Sequence, residues 1–176
     1  IAECHENLRD VSAERIQMEL LKLLISDHPE ILKEAYATGL TGIFFPEFDR
    51  MMETEQKNPH HCYSVGEHTL HAVRTIEPNP VLRLTMLLHD VGKPVTKTTD
   101  EYGIDHFYNH YKVGADMSKE ILKRLKFDNK TIQIVYQLIS HHDIRFKDPK
   151  TNGRRHVRKV MHSIGPTLFP YLLKVM

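Results

Sequence analysis

Apolar residues recur along this chain at helical spacing, and no stretch alternates convincingly as a strand does. Ile16, Leu20, Leu23 and Leu24 line one face of a helix that Ser12 caps, with Glu14 in its first turn. A second helix follows Pro29 and stops at Gly39, and the run TGIFFPEF breaks the pattern at Pro46. EQKNPHHCYS (55–64) reads as a loop. Helices are then expected from Ser64 to Ile76, over 81–91 between EPNP and Gly92–Pro94, over 108–126 and over 129–142. Loops fill 95–107 and 147–153, and one or two further helices fill 154–176. The pattern therefore predicts an all-α fold, a small helical lead-in over 1–57 followed by a helical bundle over 58–176.

The 81–91 helix departs from an ordinary amphipathic one. Leu84, Leu87, Leu88 and Val91 make one stripe, and His89 and Asp90 lie opposite, with Leu82 and Met86 between. A helix that is apolar nearly all round is a buried helix. An aspartate inside it is costly unless it is paired or bound to a metal. Adjacent His and Asp side chains can both reach a point between their directions, where one cation satisfies both.

The same interruption recurs on three other faces. His68 shares a face with Val65, Thr69 and Ala72, and His110 with Val113, Gly114, Met117 and Ile121. His142 continues the face of Val135, Leu138 and Ile139, with His141 beside it. One inward histidine is ordinarily a satisfied core residue. Four helices that each aim one inward are explained together by a shared metal site.

Composition narrows the setting. The 176 residues suit one domain, or one with an appended subdomain, and the 13 histidines are scattered rather than a tag. A net charge of +1 makes no global case for a nucleic-acid partner, and no apolar run approaches a membrane span. Cys4 and Cys62 suit reduced thiols in a cytoplasmic protein. The start, IAECHENLRD, has neither an initiator Met nor a signal peptide, as an excised fragment would.

The order His, His-Asp, His, His-His, carried by GEHTL, LLHDVGKP and a downstream HH, resembles the HD superfamily of metal-dependent phosphohydrolases over about residues 60–145. Over the whole chain, VSAERIQMELLKLLISDHP, GIFFPEF, HHCYSVGEHTL, HDVGKPVTKTTDEYGIDHFYNH and RLKFDNKTI resemble the C-terminal part of bacterial CCA-adding tRNA nucleotidyltransferases of the poly(A) polymerase family. The nucleotidyltransferase head of that family needs a Gly-Ser turn and a D-x-D pair; neither is present, so this chain is not expected to add nucleotides unaided.

The resemblance implies one or two divalent ions (Mn, Ni, Mg, Fe or Zn). His68, His89 and Asp90 would hold one, and Asp90 would bridge to a second held by His110, His141 and His142. The superfamily's late Asp, in the CCA-adding relatives, follows a segment like YLLKVM, where this chain ends; Asp143 is a poorly placed substitute. Such ions activate a bridging water and clamp phosphate oxygens. The reaction implied is hydrolysis of phosphomonoesters or 2′,3′-cyclic phosphates, with Asp90 and Lys93 as catalytic residues. Lys93 and Arg145 are the phosphate-binding candidates, and His106, four residues before His110, is a further neighbour.

Between Arg145 and Lys159 the chain carries Arg145, Lys147, Lys150, Arg154, Arg155, Arg158 and Lys159 against Asp148 alone. That run is either a solvated surface or a contact for the tRNA backbone, with Arg154, Arg155, Arg158 and Lys159 as its core. Two other readings stand beside the phosphohydrolase: a non-catalytic tRNA-binding module with a structural or vestigial metal site, and a free-standing HD nucleotidase. The lead-in's likeness to the CCA-adding enzymes argues against the last.

Overall fold

The computed structural model describes the backbone of residues 2–57, 63–146 and 153–176, with side chains from residue 6 onward. Cys62, the Cys4 side chain, Lys147, Asp148, Lys150 and most of the loops expected at 55–64 and 147–153 lie outside the described residues. The fold is all-α. After a 3₁₀ segment, Ala2–Asp10, come α1 (Ala13–Ile25), a 3₁₀ turn (Pro29–Ile31), α2 (Leu32–Ala37), α3 (Thr41–Phe44) and α4 (Pro46–Glu53). Then follow α5 (Val65–Thr75), α6 (Pro80–Leu88), α7 (Lys93–Thr96), α8 (His110–Arg124), α9 (Asn129–His141), α10 (Arg154–Ile164) and α11 (Phe169–Val175). No helix among the described residues is long and apolar enough to cross a membrane.

Local chemistry sets most of these boundaries. Ser12 accepts from Arg15 N at the start of α1, and Ser64 with Glu67 forms a reciprocal capping box on α5. Asn79 Oδ1 accepts from Val81 N and Leu82 N, and Asp128 caps α9 through Thr131 N. Pro46 does more than break a pattern. It occupies the first turn of α4, where its missing N–H costs nothing.

Two further details differ from the sequence expectation. α6 ends at Leu88 rather than at residue 91, because Val91 N bonds Leu88 O and Lys93 N bonds Asp90 O in a tight turn. A two-residue antiparallel hairpin, β1 (Thr98–Thr99) and β2 (Asp105–His106), lies inside the expected 95–107 loop. Asp100 Oδ1 closes its turn by accepting from Tyr102 N and Ile104 N, and Gly103 supplies the positive φ of 75°. Two-residue strands are too short to show alternation.

α6 is the axis of the core. Every residue from Leu82 to Asp90 is buried, and α1, α5, α9 and α11 pack around it. One apolar cluster runs from Leu24 and Phe48 through Val73, Leu87 and Leu138 to Leu172. Arg83, buried on α6, ties this axis to the lead-in by donating to Leu24 O and Ser26 O, each at 2.6 Å. α8 and α9 form an antiparallel pair whose ends meet the end of α6.

Candidate metal centre

His89 and Asp90 follow the last turn of α6. His68 comes from α5, His110 opens α8, and His142 caps the C-terminus of α9. Four imidazole Nε2 atoms surround one carboxylate. His89 Nε2 lies 3.2 Å and His68 Nε2 3.9 Å from Asp90 Oδ2; His110 Nε2 lies 3.5 Å and His142 Nε2 3.9 Å from Oδ1. Two triads result, His68–His89–Asp90 and Asp90–His110–His142, each with its donor atoms within 4.8 Å of one another and with Asp90 common to both.

The backbone chooses which ring nitrogen faces Asp90. His89 Nδ1 donates to Met86 O, His110 Nδ1 to Phe107 O and His142 Nδ1 to Ile139 O, at 2.7, 2.9 and 2.8 Å. A carbonyl only accepts, so each Nδ1 carries the proton and each Nε2 of a neutral ring presents a lone pair. Burial pushes the His142 imidazole down to about 4, with repulsion from His89 next, so at neutral pH that ring is neutral. His110 Nε2 and His142 Nε2 stand 3.3 Å apart, so two lone pairs face each other unless a proton or a cation lies between them.

Asp90 is the complementary anomaly. Burial pushes its carboxyl up, but His89 and Lys93 outweigh that and hold it well below the usual carboxylate range. Oδ2 is fully buried and receives no hydrogen bond of good geometry, although Lys93 Nζ pairs with it at 2.8 Å. Imidazole lone pairs around a buried carboxylate are a donor set that suits a divalent transition metal. The residues present fit such an ion, and Asp90 can offer one oxygen to each triad.

The structure sorts the other candidates. Lys93 turns inward, bridging Asp90 Oδ2 and Gln56 Oε1 (2.9 Å), with its ammonium 5.4 Å from the Phe107 ring centre. Arg145 is exposed at the mouth of a cavity of about 860 Å³ that holds the cluster, Lys93, His106 and Asp143. His141 is not brought to the cluster. Its Nδ1 donates to Gln137 O one turn back on α9, which leaves its Nε2 facing Ser163 Oγ of α10 at 3.4 Å. Arg154, Arg155, Arg158 and Lys159 are all exposed on α10.

Three contributors were missed by sequence reasoning. Gln56 orients Lys93, and exposed Tyr108 lines the cavity. Asp105, buried, accepts from Lys57 N, Thr99 Oγ1 and Lys97 Nζ and so holds the hairpin against the cavity wall. No periodic signal marks them, since all three sit in or beside irregular backbone.

Comparison with known families decides the assignment. The family described as "HD domain" matches residues 60–163. This chain belongs to the HD-domain family. Ahead of that region, the family described as "Probable RNA and SrmB- binding site of polymerase A" matches residues 1–52.

Among curated relatives, the HD-domain chain is 34% identical over 149 residues to the CC-adding tRNA nucleotidyltransferase of Thermus thermophilus, covering 81% of this chain and 34% of that protein. It is 32% identical over 169 residues to the A-adding tRNA nucleotidyltransferase of Deinococcus radiodurans, covering 93% and 38%. It is 28% identical over 164 residues to a bifunctional uridylyltransferase/uridylyl-removing enzyme of a Bradyrhizobium species, covering 80% and 16%. The chain thus spans little more than a third of the length of the tRNA nucleotidyltransferases it matches.

Proposed function

We propose that this HD domain is a metal-dependent phosphohydrolase that acts on phosphomonoesters or 2′,3′-cyclic phosphates within a tRNA nucleotidyltransferase. The observation that carries the reading is the convergence of four imidazole Nε2 atoms on the two oxygens of buried Asp90. His68, His89, Asp90, His110 and His142 would hold a divalent ion, which would supply Lewis acidity for activating water and polarising phosphate oxygens. Asp90 joins the two triads and supplies their negative charge. His89, His110 and His142 are locked by their backbone bonds with Nε2 turned to the site. Lys93 places a cation at the edge of the cluster and Arg145 another at the cavity mouth, both suited to a phosphate.

The tRNA partner is supported by the RNA-binding family match over 1–52 and by the names of the relatives. The exposed basic face of α10 is a second contact surface of suitable charge. The non-catalytic reading has one observation in its favour. The Lys93 ammonium, 2.8 Å from Asp90, neutralises the carboxylate as a vestigial site also would.

One experiment separates the two readings. Bound metal and Mn²⁺-stimulated phosphate release from a nucleoside 2′,3′-cyclic phosphate and 3′-phosphate are measured for wild type and Asp90→Asn. The expected result is that both signals vanish in the variant. Metal binding without phosphate release in the wild type establishes the non-catalytic reading. Equal metal content in the two proteins refutes the site itself.

A further inference from the structure

The cluster occupies one end of a cavity of about 860 Å³, a volume in the range that encloses a whole small-molecule ligand rather than a phosphate group alone. The wall made by the hairpin and the turn after it carries an aromatic side chain that lies outside the apolar core. Tyr108 is 69% exposed and lines the cavity. One face of its ring lies on His106, at 8° to the imidazole plane and 5.4 Å between centres.

That support is rigid. His106 Nε2 is bonded to Asp100 Oδ2 at 2.7 Å, and Asp100 Oδ1 is held by two backbone N–H groups. Asp105 fastens the same hairpin to Lys57 and Lys97. The ring is also registered to the metal cluster. Phe107 O, in the peptide link to Tyr108, accepts from His110 Nδ1, and Asn109 makes the left-handed turn (φ 61°) that carries the chain from Tyr108 into His110.

A pre-positioned aromatic face that shares a cavity with a phosphate-binding centre suits a ligand with a planar conjugated ring and a phosphate at its other end. We propose that Tyr108, backed by His106, is a base-stacking subsite, and that the cavity takes a nucleoside monophosphate with its base on Tyr108 and its phosphate toward Asp90. The inference rests on the reading of the Asp90 cluster as a phosphate-processing centre and specifies its ligand. Stacking on one aromatic side chain is sequence-tolerant, so purine and pyrimidine nucleotides both bind, purines more tightly.

The test uses a non-hydrolysable phosphonate analogue of adenosine 3′-monophosphate, with methylphosphonate as the same headgroup without a base. Affinities are measured by calorimetry, directly and by competition, on Mn²⁺-loaded and chelator-treated protein. Tyr108 is exposed, so Tyr108→Ala leaves the core intact, and circular dichroism and melting confirm it. Tyr108→Ala weakens the analogue roughly 10- to 100-fold, Tyr108→Phe stays near wild type, and methylphosphonate is unaffected by either change. Wild-type affinity in Tyr108→Ala overturns the proposal, as does an equal loss for methylphosphonate. If the analogue binds equally with and without metal yet is lost in Tyr108→Ala, the stacking subsite stands while the phosphate-processing reading of Asp90 fails.

Discussion

Gly92 sits two residues after Asp90, and its replacement by alanine tests how closely the metal centre depends on backbone packing. Its φ of −81° and ψ of −14° are open to any residue, so the demand for glycine here is one of space. A Cβ at this position would lie 2.4 Å from His110 O, 2.6 Å from Gly114 N and 3.0 Å from Gly114 Cα. All three are backbone atoms in the first two turns of α8, so no side-chain rotation relieves the contact. Reaching ordinary contact at about 3.5 Å requires α8 to recede by about 1 Å. That helix carries His110, whose Nε2 stands 3.5 Å from Asp90 Oδ1.

Overpacking against backbone belongs at the upper end of the usual range, about 3 kcal/mol, or a fall in melting temperature of about 6–12 °C for a chain of this size. Displacing one ligand and its backbone support weakens metal binding by about 10- to 100-fold. Gly114→Ala is the control. Its Cβ meets Gly92 N at 3.3 Å, a contact that yields by a few tenths of an ångström and is offset by helix propensity, for a net change under about 1 kcal/mol. Urea unfolding in chelator and calorimetric Zn²⁺ titration read the two effects separately. Wild-type stability and metal affinity in Gly92→Ala, or losses no larger than those of Gly114→Ala, refute the steric argument.

Arg83→Met strips the carbonyls of Leu24 and Ser26 of their shared donor and costs about 3 kcal/mol in urea unfolding; a loss under about 1 kcal/mol shows that those bonds contribute little. For Asp105, burial raises the carboxyl, but the Lys97 hydrogen bond and further donors overcome this and bring it down to about 2 from 3.8. A depressed carboxyl stabilises the fold fully above pH 3.8 and loses that contribution as pH falls through 2. Asp105→Asn therefore flattens the acid limb of the stability profile between those values, and an unchanged limb counts against the assignment. Reversing Arg154, Arg155 and Arg158 to Glu weakens tRNA binding at low salt and lowers the slope of log affinity against log salt by about 3; an unchanged slope returns α10 to a solvated surface.

The sequence alone determined the helical architecture, because the signals that make it are local. Caps at Ser12, Ser64 and Asp128 and the 3.6-residue apolar period are read within one turn. The polar interruptions of the centre were legible for a related reason. A histidine or aspartate on a face that is otherwise apolar needs a partner wherever that face packs. What tertiary structure decided concerns direction and reach. The face that carries His142 is legible in the sequence, but whether His141 joins it is not: its Nδ1 donates to Gln137 O one turn back and its Nε2 meets Ser163 of α10, away from Asp90. The sequence marks Lys93 as a phosphate-binding cation beside Asp90, but Gln56, which accepts from its ammonium, is 37 residues away and meets it only in the folded chain. Asp105 and Tyr108 lie in backbone without a period: Asp105 is placed by a hydrogen bond from Lys57 N, 48 residues away, and Tyr108 by its stack on the His106 ring of a hairpin that no repeat announces.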